Sequence, residues 1–221
     1  MTNLRFQKRI KRIIDVAGAI LGLVLLGWMI GLAALIARID TKKSGFYLQK
    51  RIGLNGKQFS IIKIRTMRDM PGMTTHVTRQ NDPRITRWGH FFRRAKVDEL
   101  AQLINVLKGD MSLVGPRPDV PEIARRLETE APLVLTVRPG ITGPASLKYR
   151  NEEEILETCA DPEWVNASIL FPDKMRINAE YARSYRWQSD LWYIWQTVTG
   201  TGERAQLGDI STQIAQRQKA A

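Results

Sequence analysis

Val16-Ala17-Gly18-Ala19-Ile20-Leu21-Gly22-Leu23-Val24-Leu25-Leu26-Gly27-Trp28-Met29-Ile30-Gly31-Leu32-Ala33-Ala34-Leu35-Ile36-Ala37 runs for 22 residues without a charge. As a helix it rises about 33 Å, enough to cross a hydrocarbon core. A signal peptide competes for such a stretch. The run is long for a signal h-region, and Leu35-Ile36-Ala37 is not a small-x-small cleavage site. Membrane insertion is therefore expected from Val16 to Ala37. Cations flank it on both sides: Arg5, Lys8, Arg9, Lys11 and Arg12 before it, and Arg38, Lys42, Lys43, Lys50 and Arg51 after it. The positive-inside rule puts a basic flank on the cytoplasmic side, and here both flanks ask for that side. A re-entrant hairpin meets the demand. Gly22, Gly27 and Gly31 ease a bend, though no proline forces one, and Trp28, mid-segment, does not discriminate between the two arrangements. An ordinary spanning helix followed by a basic domain is the alternative. The Gly18/Gly22 and Gly27/Gly31 pairs match G-x-x-x-G, which makes a homodimer a partner to test.

The 221 residues suffice for one domain with a core and an appendage. The net charge of +12 implies a polyanionic partner: nucleic acid, an anionic bilayer or a phosphorylated substrate. Cys159 is the single cysteine, so no internal disulfide forms, and neither it nor the two histidines, His76 and His90, has zinc-site spacing. No Walker loop, G-x-G-x-x-G or G-x-S-x-G occurs.

After the apolar run, Phe46-Tyr47-Leu48 and Phe59-Ser60-Ile61-Ile62-Lys63-Ile64 flank Asn55-Gly56, which predicts a β-hairpin. Lys63 and Arg65 fall on one face of its second strand, either to cradle a phosphate or as a solvated face. Residues 68–80, with Met73 and His76, read as a loop, and Asn81-Asp82-Pro83 as a turn. Phe91 to Leu107 reads as one amphipathic helix. Glu99 sits inside its apolar stripe and Asp98 on the neighbouring face with Phe91, Gln102 and Asn105. A buried acid costs several kcal/mol unless paired or metal-bound, so this dyad is salt-bridged to Arg93 or Arg94, or lies at a helix boundary that swings Glu99 outward, or is functional. The helix ends at Gly109. In Pro116-Arg117-Pro118 two prolines fix the backbone around one guanidinium, so Arg117 could bind an oxyanion with little ordering cost.

Residues 119–131 read as helical, 138–144 as turn-rich, 152–163 as acidic and solvent-facing, and 177–198 as helical again. On that last helix Leu191, Trp195 and Val198 share a face, taken as core, with an interfacial anchor as the alternative. The expected fold is mixed α/β, mostly helical with a small β-hairpin: a basic N-terminus and re-entrant membrane segment over 1–40, a cytosolic catalytic domain over 41–199 and a polar tail over 200–221.

Several blocks, taken in order, resemble the bacterial sugar transferases, the monotopic phosphoglycosyl transferases. They are the basic start and apolar run, Gln49-Lys50-Arg51-Ile52-Gly53, Lys63-Ile64-Arg65-Thr66-Met67, Asn81-Asp82-Pro83-Arg84-Ile85-Thr86, Asp98-Glu99-Leu100-Ala101-Gln102-Leu103, Asn105 to Pro118 and Arg138-Pro139-Gly140-Ile141-Thr142-Gly143. The resemblance covers roughly residues 8–198. The chain departs from the family pattern at Gly27-Trp28, where Ser-Pro is usual, and at Lys96 and Ala101 around the dyad.

The resemblance implies transfer of a sugar-1-phosphate from a UDP-sugar to polyprenol (undecaprenyl) phosphate at the cytoplasmic face of a bacterial inner membrane, which starts a surface or glycoprotein glycan. It implies Asp98 as nucleophile, forming a phosphosugar aspartyl-enzyme with release of UMP. Glu99 would align it or share a Mg²⁺ ion with it, and Lys63, Arg65, Arg93 and Arg117 would contact phosphates. Nucleic acid is then not an expected partner. The rival reading is a membrane-anchored basic binding or scaffold protein, which leaves the dyad and Pro-Arg-Pro without a task.

Overall fold

The computed structural model describes residues 4–70, 82–202, 204–206, 208 and 210. Met73, His76 and Asn81, assigned above to a loop and a turn, lie outside these residues.

The apolar run belongs to one long helix, α1 (Leu4–Thr41). Its inner stripe reads Gln7, Asp15, Ala19, Ile30, Ala33, Ala34, Ala37 and Thr41, all buried and at multiples of three and four residues. The opposite side is apolar and bare: Ile20, Leu21, Val24, Leu25, Trp28, Leu32 and Leu35 are exposed. Val16 and Gly27 lie between these faces, half-buried. An outward apolar face of this length has no counterpart in a soluble core helix; it is a lipid-facing surface. The segment is one helix rather than two arms joined by a turn. It meets the requirement of a re-entrant element in another way, since both of its halves pack on the same domain.

In the first half, Asp15 Oδ1 accepts from Ser112 Oγ and the Leu113 amide, each at 2.9 Å. Arg12 donates to the carbonyls of Val106 and Leu107 at 2.7 and 3.0 Å. In the second half, Ile30, Ala33, Ala34 and Ala37 share a core with Ile64, Phe92, Val97 and Ala101. Gly18 and Gly22 are used internally, because a Cβ there would stand 2.7 and 2.9 Å from the Leu113 and Leu103 side chains. A Cβ at Gly27 or Gly31 would meet nothing within 4 Å.

The hairpin forms as the sequence indicates. Strands β1 (Phe46–Ile52) and β2 (Gln58–Ile64) pair antiparallel, with Lys63 opposite Tyr47. Asn55 (φ 55°) and Gly56 (φ 74°) take the left-handed values of the turn. The amphipathic helix is not continuous. α2 (Arg87–Arg94) stops, Lys96 takes φ 56°, and a 3-10 turn (Val97–Gln102) leads into α3 (Leu103–Lys108), which Gly109 closes at φ 88°. The left-handed residue resets the helical phase, so Asp98 and Glu99 are both buried instead of on different faces.

A second small sheet pairs β3 (Ser112–Val114) with β4 (Gly140–Thr142) in parallel, which the sequence did not reveal. Gly115 and Gly140 lie backbone to backbone there: a Cβ on Gly140 would stand 2.1 Å from the Gly115 nitrogen. Gly140→Ala is expected to lower stability by about 3 kcal/mol through overpacking, read as an earlier denaturant midpoint.

Helix α4 (Ala124–Glu130) falls where expected. α5 (Pro144–Lys148), α6 (Glu152–Glu157), α7 (Pro162–Val165), α8 (Phe171–Arg183) and α9 (Trp187–Thr199) complete the domain. The acidic stretch is not merely solvated: Ile155 and Leu156 are core, Glu152 pairs with Lys174 at 2.5 Å, and Glu153 pairs with Arg93. The helix expected over 177–198 is two helices. The Leu191/Trp195/Val198 face of α9 is exposed, because Asp190, Tyr193 and Thr197 take the inner side. Beyond Gly200, the stretch offered as a tail is packed at Ala205 and Ile210, which join the core around Tyr149 and Ile155.

Candidate active site

Asp98 and Glu99 sit on the 3-10 turn that α1 and β2 hold from two sides. Val97 and Ala101 anchor the turn in the core against α1, which leaves the two acids on its other faces. Asn105, fully buried, fixes the third side. Its Oδ1 accepts the Ile62 amide at 3.0 Å and its Nδ2 donates to the Ser60 carbonyl at 2.8 Å. Strand β2, which carries Lys63, is thereby locked to the helix that follows the dyad.

The two carboxylates have unlike surroundings. Lys63 Nζ lies 3.3 Å from Glu99 Oε1. Arg117 donates to the same oxygen at 2.6 Å and to Oε2 at 3.4 Å. Burial pushes Glu99 up, but Arg117 and Lys63 outweigh it and hold the acid well below the usual carboxylate range. Asp98 has no such clamp. Its Oδ1 is buried and has no hydrogen-bond partner. Burial first, and then the charge of Glu99, push Asp98 up to about 6, against the pull of Lys63, Arg93 and Lys96. Two adjacent acids thus have separated affinities for a proton, one fixed as an ion and one poised near neutrality. Lys63 is pushed down to about 8 by burial, with Glu99 opposing, and stays a cation at neutral pH.

Of the residues singled out in sequence, Lys63 and Arg117 meet at Glu99. Arg93 adds its charge to the field at Asp98 and is itself engaged by Glu153. Arg65 goes elsewhere: its Nε donates to the Ser44 carbonyl at 2.9 Å, and its guanidinium lies over the Tyr47 ring. Arg51 fastens the Pro-Arg-Pro loop, which the sequence reading did not assign. Its Nη1 donates to the Pro118 carbonyl at 3.1 Å, and the Ile52 amide donates to the Asp119 carbonyl at 2.9 Å. Asp119 is a further, half-buried acid beside it, pushed up to about 6 by desolvation against Lys174, Arg51 and Arg117. Cation-rich blocks flagged the strand of Arg51, and the helical period put Asn105 on the face of Asp98; nothing local marked Asp119.

A family model described as bacterial sugar transferase matches residues 6–203, nearly the whole chain. The chain belongs to the bacterial sugar transferase family. A Bacillus subtilis protein, provisionally named an undecaprenyl-phosphate N-acetylgalactosaminyl 1-phosphate transferase, is 40% identical over 144 residues, covering 65% of this chain and 79% of its own. The UDP-glucose:undecaprenyl-phosphate glucose-1-phosphate transferase of Caulobacter vibrioides is 36% identical over 183 residues, 74% of this chain and 65% of its own. The exopolysaccharide production protein ExoY of Rhizobium meliloti is 34% identical over 180 residues, 74% of this chain and 80% of its own. Other relatives are longer: the chain spans 40% of an Escherichia coli glucose-1-phosphate transferase. As a bacterial sugar transferase the chain is an enzyme of the phosphoglycosyl transferase class, and its long apolar helix makes it a monotopic membrane protein of the cytoplasmic face.

Among the described residues no group of three or more His, Cys, Asp or Glu side chains forms a metal cage. The dyad nevertheless suits a magnesium ion of the kind that takes one or two carboxylates and completes its shell with water and substrate phosphate. The unpartnered Asp98 Oδ1 is the atom that fits this role.

Proposed function

We propose that this sugar transferase moves a sugar-1-phosphate from a UDP-sugar to undecaprenyl phosphate, releasing UMP, through a phosphosugar intermediate on Asp98. The observation that carries the reading is the split dyad: Glu99 clamped by Lys63 and Arg117, and Asp98 beside it with a buried, unpartnered oxygen. A carboxylate nucleophile needs no base, but it must approach a diphosphate, so the site has to supply positive charge.

In the first half-reaction an Asp98 oxygen attacks the sugar-bearing phosphorus. The bond to the bridging oxygen breaks and its electron pair leaves on UMP. In the second, a phosphate oxygen of the lipid attacks the same phosphorus and frees the Asp98 carboxylate. Asp98, with Glu99 beside it, would hold Mg²⁺, which when bound neutralises the diphosphate. Glu99 positions Lys63 and Arg117 for the phosphates. Arg117 is half-exposed and can meet substrate while it holds Glu99. Arg93 contributes to the field at Asp98, whereas Arg65 is held by Ser44 and Tyr47. The packing of the dyad turn on α1 supports delivery of a lipid acceptor from the bilayer. N-acetylhexosamines, glucose and galactose all fit as the transferred sugar. The product would be the first lipid-linked sugar of a bacterial glycan.

The test is UMP release from a panel of UDP-sugars with Mg²⁺ and undecaprenyl phosphate. One donor is expected to turn over well above the rest; no release from any donor would overturn the reading. Because only ionised Asp98 attacks and its pKa stands at about 6, the rate of the first half-reaction is expected to fall about tenfold per pH unit below 6, to level off near pH 7, and to decline again as Lys63 loses its charge around pH 8. Single-turnover rates across that range check it.

A further inference from the structure

Asn105 is 0% exposed, and its side chain acts on β2 as a neighbouring strand would. Oδ1 accepts the Ile62 amide at 3.0 Å, and Nδ2 donates to the Ser60 carbonyl at 2.8 Å. Strand β1 takes the other edge of β2. Asn105 is itself fixed, since its carbonyl accepts the amides of Asp110 and Met111 at 3.1 and 3.2 Å where α3 ends. A leucine of similar size would supply the packing but leave two backbone groups of β2 unpaired.

Those two bonds do what the surrounding core does not. Ile61 packs with Leu103 and Val106, and Ile64 with Val97 and Ala101. Apolar contact is non-directional and lets a hairpin slide along the segment it covers. A slide of one residue would turn Lys63 to the opposite face of the strand. Hydrogen bonds to one particular amide and one particular carbonyl forbid it.

Lys63 depends on this hold. It follows Ile62 directly, and its Nζ has one hydrogen-bond acceptor among the described residues, Glu99 Oε1 at 3.3 Å. A tight charged pair is shorter, about 2.7–2.9 Å, and Arg117 already donates to the same oxygen at 2.6 Å. Glu99 therefore does not place the ammonium by itself. The strand does, through Ile62 and Asn105, because Asn105 belongs to the same continuous segment as Glu99. An ammonium has three donors, so Lys63 keeps N–H groups for a phosphate.

We infer that Asn105 is a positioning residue for the transfer reaction: it sets β2 so that the Lys63 ammonium stands beside Glu99 with N–H groups turned to the diphosphate of the donor. The inference rests on the role proposed for Lys63 toward phosphate and not on the aspartyl intermediate.

The probe is UDP, which carries the two phosphates of the donor and no sugar to transfer. Its Kd is measured with Mg²⁺ for the full-length wild type, Asn105→Ala, Lys63→Met and the double mutant, each shown by thermal melt to be folded at the assay temperature. Asn105→Ala is expected to weaken UDP at least about tenfold when Lys63 is present. In the Lys63→Met background it is expected to weaken UDP less than about twofold, because the cation it would displace is already gone. Equal weakening in both backgrounds would make Asn105 a residue of the fold alone and overturn the inference, as would no weakening in either. If Asn105→Ala does not fold, Asn105→Gln takes its place in the cycle. It keeps both hydrogen-bonding groups but pushes the strand away by a methylene, and the same non-additivity is expected. A wild type that releases no UMP from any UDP-sugar would strike the proposed function. Wild-type turnover with an additive cycle would strike this inference only.

Discussion

Asp98→Asn is expected to fold, to melt several degrees above the wild type and to release no measurable UMP from any UDP-sugar. The activity loss follows from the chemistry, since an amide oxygen cannot form the phosphosugar ester that the second half-reaction requires; a loss of at least about 10³-fold is the expected scale for removing a nucleophile. The gain in stability follows from the same environment that makes the residue reactive. The folded-state pKa of Asp98, about 6, lies above the ordinary value of 3.8. The contribution of this group is therefore most favourable below pH 4 and is lost as the pH rises through 6. At pH 7 the native chain carries the whole cost of an ionised acid that is 7% exposed, about 2–3 kcal/mol. The asparagine carries no charge and escapes that cost at every pH. Thermal melts at pH 4 and pH 7.5 check it: the two proteins should come close together at the lower pH and separate at the higher. A mutant that melts below the wild type at pH 7.5 would contradict the assignment of strain to Asp98.

Glu99→Gln is expected to move stability the other way. The folded-state pKa of Glu99 is depressed, so its contribution is present at neutral pH and is lost on acidification. Removing the charge leaves Lys63 and Arg117 crowded together without their shared counter-ion. Breaking a buried pair costs about 3–5 kcal/mol, but Arg117 is 51% exposed and solvent relieves part of this, so about 2 kcal/mol is expected. Turnover should fall by about 10²-fold as the two cations lose their fixed positions. The pH profile gives a more specific signature. Glu99 raises the pKa of its neighbour Asp98 and of Lys63. In Glu99→Gln the acid limb of the single-turnover rate should therefore move below pH 6, and loss of the Lys63 charge should begin below pH 8. A slow mutant with an unshifted acid limb would make Glu99 a structural residue with no electrostatic hold on the nucleophile.

Long-range periodicity and local turn chemistry carried much of the fold in the sequence. The apolar run from Val16 to Ala37 is long enough to mark a membrane helix by itself, and Asn55-Gly56 between two β-rich runs marks its hairpin without help from tertiary contacts. The break inside the dyad segment was hidden because Lys96, unlike glycine or asparagine, does not advertise a left-handed backbone; the surrounding core imposes it. The β3–β4 pair is three residues on each side, too short for a period of two to register. The outward face of α9 was ambiguous for another reason. Periodicity identifies an apolar face but not which way it turns, and the residue that decides it, Asp190, needs the distant Lys11 to be buried. At the site, the dyad and Pro-Arg-Pro were legible as chemistry. The division of labour between Asp98 and Glu99 was not, because it depends on which acid Lys63 and Arg117 reach.

The aspartyl intermediate is tested most directly by intact-protein mass after purified enzyme is mixed with a panel of UDP-sugars and Mg²⁺ and no lipid acceptor. The account predicts that the wild type gains the mass of one sugar-phosphate from its donor, loses it when undecaprenyl phosphate is added, and gains nothing as Asp98→Asn. UMP release at the full wild-type rate with no adduct at any quench time, or an adduct of the same mass on Asp98→Asn, would contradict it.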